Sequence, residues 1–145
     1  MPPPSDPGSL PCSPLNDVDG VLYLPRLAAK VRLHAQGRLW EDLHENLGKG
    51  MDMFCAGFLH VSYEALAQRV LEGGTDEDIL RWCEEQGRKL NSVDKLVWKS
   101  FISKLGIEDP ATSLLAQRKA ESGLAHRDDI KTMAHYIDVD EGRKP

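Results

Sequence analysis

The stretch from Trp40 to Asp52 holds the densest chemistry in the chain. It places Asp42, His44, Asn46, Lys49 and Asp52 around Gly48 and Gly50. An imidazole beside a carboxylate can work as an acid/base pair or as a pair of metal ligands. Glycines free the backbone for unusual dihedrals and for close approach to a ligand. A second imidazole, His34, lies one turn beyond Val31, on or near the apolar stripe of the preceding helix. If the loop folds back, His34 and His44 face one another, and Asp42 or Asp52 completes a site.

Two functional readings follow. In the first, the loop binds a protein or a small polar ligand. Arg26 and Lys49 contact an anion, Asn46 hydrogen-bonds, His44 touches the ligand and Asp42 orients the set. In the second, the chain is a hydrolase-like or metal-assisted enzyme. His34 and His44 are then ligands or acid/base groups, with Asp42 or Asp52 as partner, and His34, His44 and Asp52 as the metal candidates. The plainer alternative is that His44 and Asp42 cap a turn and His34 is a hydrogen-bonded core histidine. The residues leave open whether the chain is an enzyme, and they name no cofactor.

Other motifs fail on context. Gly48-Lys49-Gly50 lacks the earlier glycine and the following Ser/Thr of a phosphate loop. Asp17-Val18-Asp19-Gly20-Val21-Leu22 reads like the first motif of haloacid-dehalogenase-type phosphatases, but Cys12 to Asn16 before it is no buried parallel strand. Asp138-Val139-Asp140-Glu141-Gly142 hints at a calcium loop without the third ligand residue. No G-x-S-x-G or H-E-x-x-H occurs, His126 and His135 are too far apart for one helical face, and His60 is isolated. Cys12, Cys55 and Cys83 form no C-x-x-C pair. They are expected to be free thiols in a reducing cytoplasm, with Cys55 and Cys83 buried. The start of the chain has neither the basic nor the apolar stretch of a signal peptide.

The elements that must position these residues read as helices. Residues 1–20 are expected to be a proline-rich tail, disordered to about Leu10 and then extended, with a single helical domain over 21–145. Leu24, Leu27, Ala28, Val31 and Ala35 recur at helical spacing. Pro25 suits the first turn of that helix and Gly37 its end. Ser62 caps a stripe of Tyr63, Leu66, Ala67, Val70 and Leu71 that Gly73-Gly74 stops. Thr75 caps the next helix, which buries Ile79, Trp82 and Cys83. Asn91 or Ser92 opens another, with Val93, Leu96, Val97 and Phe101 on its main face. Trp98, Ile102 and Leu105 widen that arc, so this helix is expected to be the most buried, with Trp98 and Ile102 available for a homodimer seam or a second core layer. Asp109-Pro110 opens a further helix, and Asp128 or Asp129 the last. Met53 to Leu59 is apolar but too short to separate strand from helix. The expected fold is all-α, a compact bundle of about six short to medium helices behind an extended tail.

Several separate runs carry a resemblance. They are Val21-Leu22-Tyr23-Leu24-Pro25-Arg26, Arg32-Leu33-His34, Asp42 to Asp52, Gly73-Gly74-Thr75-Asp76-Glu77, Gly123-Leu124, Arg127-Asp128-Asp129-Ile130 and Tyr136-Ile137-Asp138. Together they resemble a largely bacterial family labelled domain of unknown function 5069, over nearly everything after about residue 11. Cys12 and Asp19 depart from its pattern. The resemblance implies a kind of protein and no reaction.

Charge narrows the partners. The chain has 145 residues and a net charge of -5. Residues 1–20 carry three of those negative charges, whereas residues 21–50 hold five Lys+Arg against three Asp+Glu. Residues 75–105 could suggest a helix-turn-helix, but their six bases and six acids cancel. Nucleic acid is therefore disfavoured as a partner, while a local anion site beside the His44 loop stays open. No apolar run is long enough to span a membrane.

Overall fold

The computed structural model describes residues 3–145; part of the expected tail, Met1 and Pro2, lies outside them. Seven α-helices follow a short hairpin: α1 (Leu24–Ala35), α2 (Met51–Phe58), α3 (Tyr63–Leu71), α4 (Asp76–Gln86), α5 (Ser92–Lys104), α6 (Thr112–Glu121) and α7 (Met133–Asp140). Two 3-10 segments, Pro7–Ser9 and Glu41–Asn46, complete the helical content among the described residues. The chain is an all-α bundle. The 51–59 segment, ambiguous in sequence, is helix. Among the described residues, no helix is long and apolar enough to cross a membrane.

The hairpin pairs β1 (Asp17–Val18) with β2 (Val21–Leu22) in antiparallel register. Its turn is Asp19-Gly20, both at positive φ, the geometry that a two-residue hairpin demands. The segment that reads like a phosphatase motif is therefore a tight turn. Val18, Val21 and Leu22 are buried by it.

Helix starts follow the side chains that can accept the free backbone N–H groups. Ser62 caps α3, and Thr75 and Asn91 make reciprocal capping boxes with Asp78 and Asp94. Two expected starts shift. Asp109 accepts from Gly106 and Ala111 in a turn, so α6 begins only at Thr112. Asp129 is clasped by Arg127, and Thr132 caps α7 instead.

The core centres on α1, which packs against α3 and α4. Leu24, Leu27 and Ala28 are buried with Leu59, Leu66, Ile79 and Cys83. The exposure of α5 is opposite to the expectation. Trp98 and Ile102 are buried, while Val93, Leu96, Val97 and Phe101 face out. Trp98 decides the choice between the two arcs. Its indole N–H donates to the Leu22 carbonyl at 2.7 Å, and its ring stacks on Phe58 at 4.6 Å. A large ring with one polar atom is best buried where that atom finds a partner.

Candidate functional site

The structure brings His34 and His44 together. Gly37, at φ +69, reverses the chain after α1. Leu39 and Trp40 then anchor in the protein, and the 3-10 segment folds back over the end of α1. The two imidazoles meet edge to face, with ring centroids 5.0 Å apart. His44 Nε2 lies 2.9 Å from the Leu39 carbonyl, so that nitrogen carries the proton and donates. Both rings are exposed, as are Asp42 and Lys49; Asn46 is half-buried. His34 is thus a surface residue at a helix end. Among the described residues, no group of three His, Cys, Asp or Glu could hold a metal ion.

Arg26 and Asp52 lie elsewhere, inside the protein. Asp52, in the first turn of α2, is wholly buried. It accepts from Tyr23 Oη at 2.5 Å, from Lys30 Nζ at 3.0 and 3.1 Å, and from the Gly48 amide at 3.0 Å. Gly48 has φ +76, and a Cβ there would press on the Tyr63 ring at 3.1 Å. The close approach that this glycine permits is to the chain's own carboxylate and ring. Tyr23 itself holds φ +77, a strained conformation for a bulky residue, where the hairpin meets α1. Burial and the neighbouring Asp52 carboxylate push its phenol well above the usual range. Burial pulls the Lys30 ammonium down, and Asp52 partly offsets that. These groups join α1 to α2 and have no exposed face on which to meet a substrate.

Arg26 is buried in a second network. Its guanidinium makes a fork-to-fork pair with Glu141 at 2.8 and 2.6 Å and donates to the Cys12 carbonyl at 3.0 Å. Arg143 reaches Glu141 at 2.7 Å, Asp138 at 3.0 Å and the Pro11 carbonyl. Asp138 also accepts from Ser13 at 3.0 Å. Asp138 and Glu141 of the segment that hints at a calcium loop therefore serve two arginines and a serine. Among the described residues, Arg26 Nε is the one buried side-chain polar atom without a partner.

Two of the cysteines offer no reactive centre. Cys55 and Cys83 are buried, and burial pushes their thiols up, that of Cys83 to about 12. A shallow cleft of about 310 Å³ lies across Gly106, Ile107, Leu115 and Lys131, among none of the residues above.

The family is decided by the whole chain. The model of the family described as domain of unknown function (DUF5069) matches residues 9–143. The chain belongs to this family. No curated protein matches it. The DUF5069 match spans the hairpin, both ion networks and the His34–His44 corner, so these are parts of one family domain.

Periodicity misassigns one surface. Val93 (63% exposed), Leu96 (63%), Val97 (59%) and Phe101 (40%) project from one face of α5. Phe101 meets Phe54 of α2 edge to face at 5.5 Å, and the neighbouring Met53 is exposed too. Nearly every large apolar group of this face is drawn from two helices that meet at that ring pair. The signal is present in the sequence: α5 carries more apolar positions than a single buried stripe can take.

Proposed function

We propose that this DUF5069 chain is a protein-binding module that docks its partner on the joined outer face of α5 and α2. The exposure of Val93, Leu96, Val97, Phe101, Met53 and Phe54 on one surface carries the reading. Their exposed fractions leave on the order of 500 Å² of apolar surface, at the upper end for the largest patch on a monomer. Scattered single residues need no explanation, whereas the largest apolar patch of a monomer is often functional.

The test is a photo-crosslinking amino acid at Val97, with one at the exposed Leu71 of α3 as control. Irradiation of expressing cells is expected to give a discrete adduct from position 97 that Leu96→Asp abolishes, and none from position 71. Absence of any adduct at 97 refutes the reading.

A second reading rests on the His34–His44 contact. Two adjacent exposed imidazoles at the mouth of the Trp40–Asp52 loop, with Lys49 nearby in sequence, suit a small polar ligand or a cation in the metal-assisted alternative. Metal analysis of protein purified without chelator tests the cation, and an empty wild type removes it.

A further inference from the structure

We infer that the occupant of the apolar face is a second copy of this chain, packed as an antiparallel pair of α5 helices about a two-fold axis. This rests on the docking reading above and names its partner.

Area is the first support. A standard dimer covers roughly 800 Å² per partner, about 65% of it apolar in homodimers, which is about 500 Å². The α5–α2 face offers that amount when Met53 and Phe54 are covered together with α5.

Shape is the second. Val93, Leu96, Val97, Ser100, Phe101 and Lys104 follow the three- and four-residue steps of one helical face. Ser100 is the smallest of them and lies mid-face, where two helices crossing at a dyad must come closest. A two-fold axis between Val97 and Ser100 sets each against the other's counterpart. It also sets Leu96 against the Phe101 position of the second copy, and Val93 against the Lys104 position. Large Leu96 and Phe101 then meet on either side of the centre, the small Ser100 meets Val97 at the centre, and Val93 meets the Lys104 stem at the ends.

Charge is the third and fixes the direction. Asp94 stands in the first turn of α5 and Lys104 in the last. Antiparallel packing brings each Lys104 toward the acidic start of the other α5, where Asp94 stands bonded to Asn91 and 3.5 Å from Arg88 of its own chain, and it opposes the helix dipoles. Parallel packing would set Lys104 on Lys104 and align the dipoles.

Sedimentation velocity across the micromolar to sub-millimolar range tests the pairing. Wild type is expected to be a dimer that dissociates on dilution. Leu96→Asp should weaken it by roughly a hundredfold or more, as losing a central apolar contact does. Because Leu96 is exposed, far-ultraviolet circular dichroism should stay native. Leu71→Asp should leave the dimer unchanged. For direction, the double variant Leu96→Cys with Phe101→Cys should form a disulfide-linked dimer on mild oxidation, and neither single variant should. A wild type that stays monomeric overturns the second copy, as does a dimer indifferent to Leu96→Asp. Efficient linkage by Leu96→Cys alone overturns the antiparallel arrangement. The two levels separate cleanly: a monomer that still gives a Val97 photo-adduct of foreign mass keeps the docking reading and loses this one, and a monomer with no adduct loses both.

Discussion

Replacing Asp52 by asparagine probes the centre of the molecule. Asp52 is the carboxylate bonded to the buried Lys30 ammonium, and it also holds the Tyr23 hydroxyl and the Gly48 amide. An amide in its place would keep an acceptor but not the charge. Removing one partner of a buried ion pair costs about 3–5 kcal/mol, because the remaining charge is left in a poor solvent. At about 2–4 °C per kcal/mol for a chain of this size, Tm should fall by roughly 10–15 °C. Urea unfolding followed by circular dichroism gives the free energy directly. Lys30→Met alone leaves the carboxylate with only neutral donors and should be similarly costly. The double variant should lose less than the sum, with a coupling of about 2 kcal/mol. The pH dependence has a definite sign. Lys30 titrates below its ordinary value in the folded chain. The folded state therefore binds that proton less readily than the unfolded state, and stability rises with pH between the two values. Losing Asp52 removes what holds the ammonium up and widens that window. The Asp52→Asn variant should regain stability more steeply than wild type as pH rises toward the range where an unfolded tyrosine titrates. A loss under about 1 kcal/mol, or additivity of the two single variants, would refute the assignment of Asp52 as the counter-charge.

Other outcomes follow from single sites. Gly87→Ala would set a Cβ 1.9 Å from the Leu59 carbonyl oxygen, a clash with backbone that should cost about 3 kcal/mol. Gly37→Ala meets open space at φ +69 and should cost only about 1 kcal/mol for the left-handed conformation. Asn91→Ala removes the cap of α5 and should cost about 1 kcal/mol in the same urea assay. The Arg127 guanidinium draws the Asp129 carboxyl down to about 2, so its NMR titration should have its midpoint there and move back up in Arg127→Gln. A thiol reagent at pH 8 should modify at most Cys12 in the native chain and all three cysteines in urea, since burial keeps Cys55 and Cys83 protonated.

Much of the scaffold is legible in the sequence because its signals are local. Ser62, Thr75 and Asn91 mark helix starts through their own side chains, and Gly37 marks a reversal through its own backbone. The meeting of His34 with His44 could also be anticipated, since a short loop after a helix returns near its end. Asp19-Gly20 is a standard hairpin turn hidden by a more interesting resemblance. What could not be read depends on distant partners. Arg26 and Asp52 look like ligand contacts because they are charged, and nothing nearby in sequence shows that Glu141 and Lys30 will claim them. The choice of α5 face hinges on Trp98 finding the Leu22 carbonyl, 76 residues away in the chain. Periodicity gives the apolar arcs but not which of them has a neighbour.

The Arg26 network has a consequence for the order in which the domain is made. Arg26 lies in α1, and its counter-charge stands 115 residues downstream. Ser13 and the Pro11 carbonyl wait longer still, 125 and 132 residues, for Asp138 and Arg143. Until α7 emerges, α1 cannot take its final seat without leaving a guanidinium uncompensated among apolar side chains. The early residues of the domain are thus locked by its late ones. In a nascent chain, the burial of Arg26 beside its counter-charge therefore waits for α7.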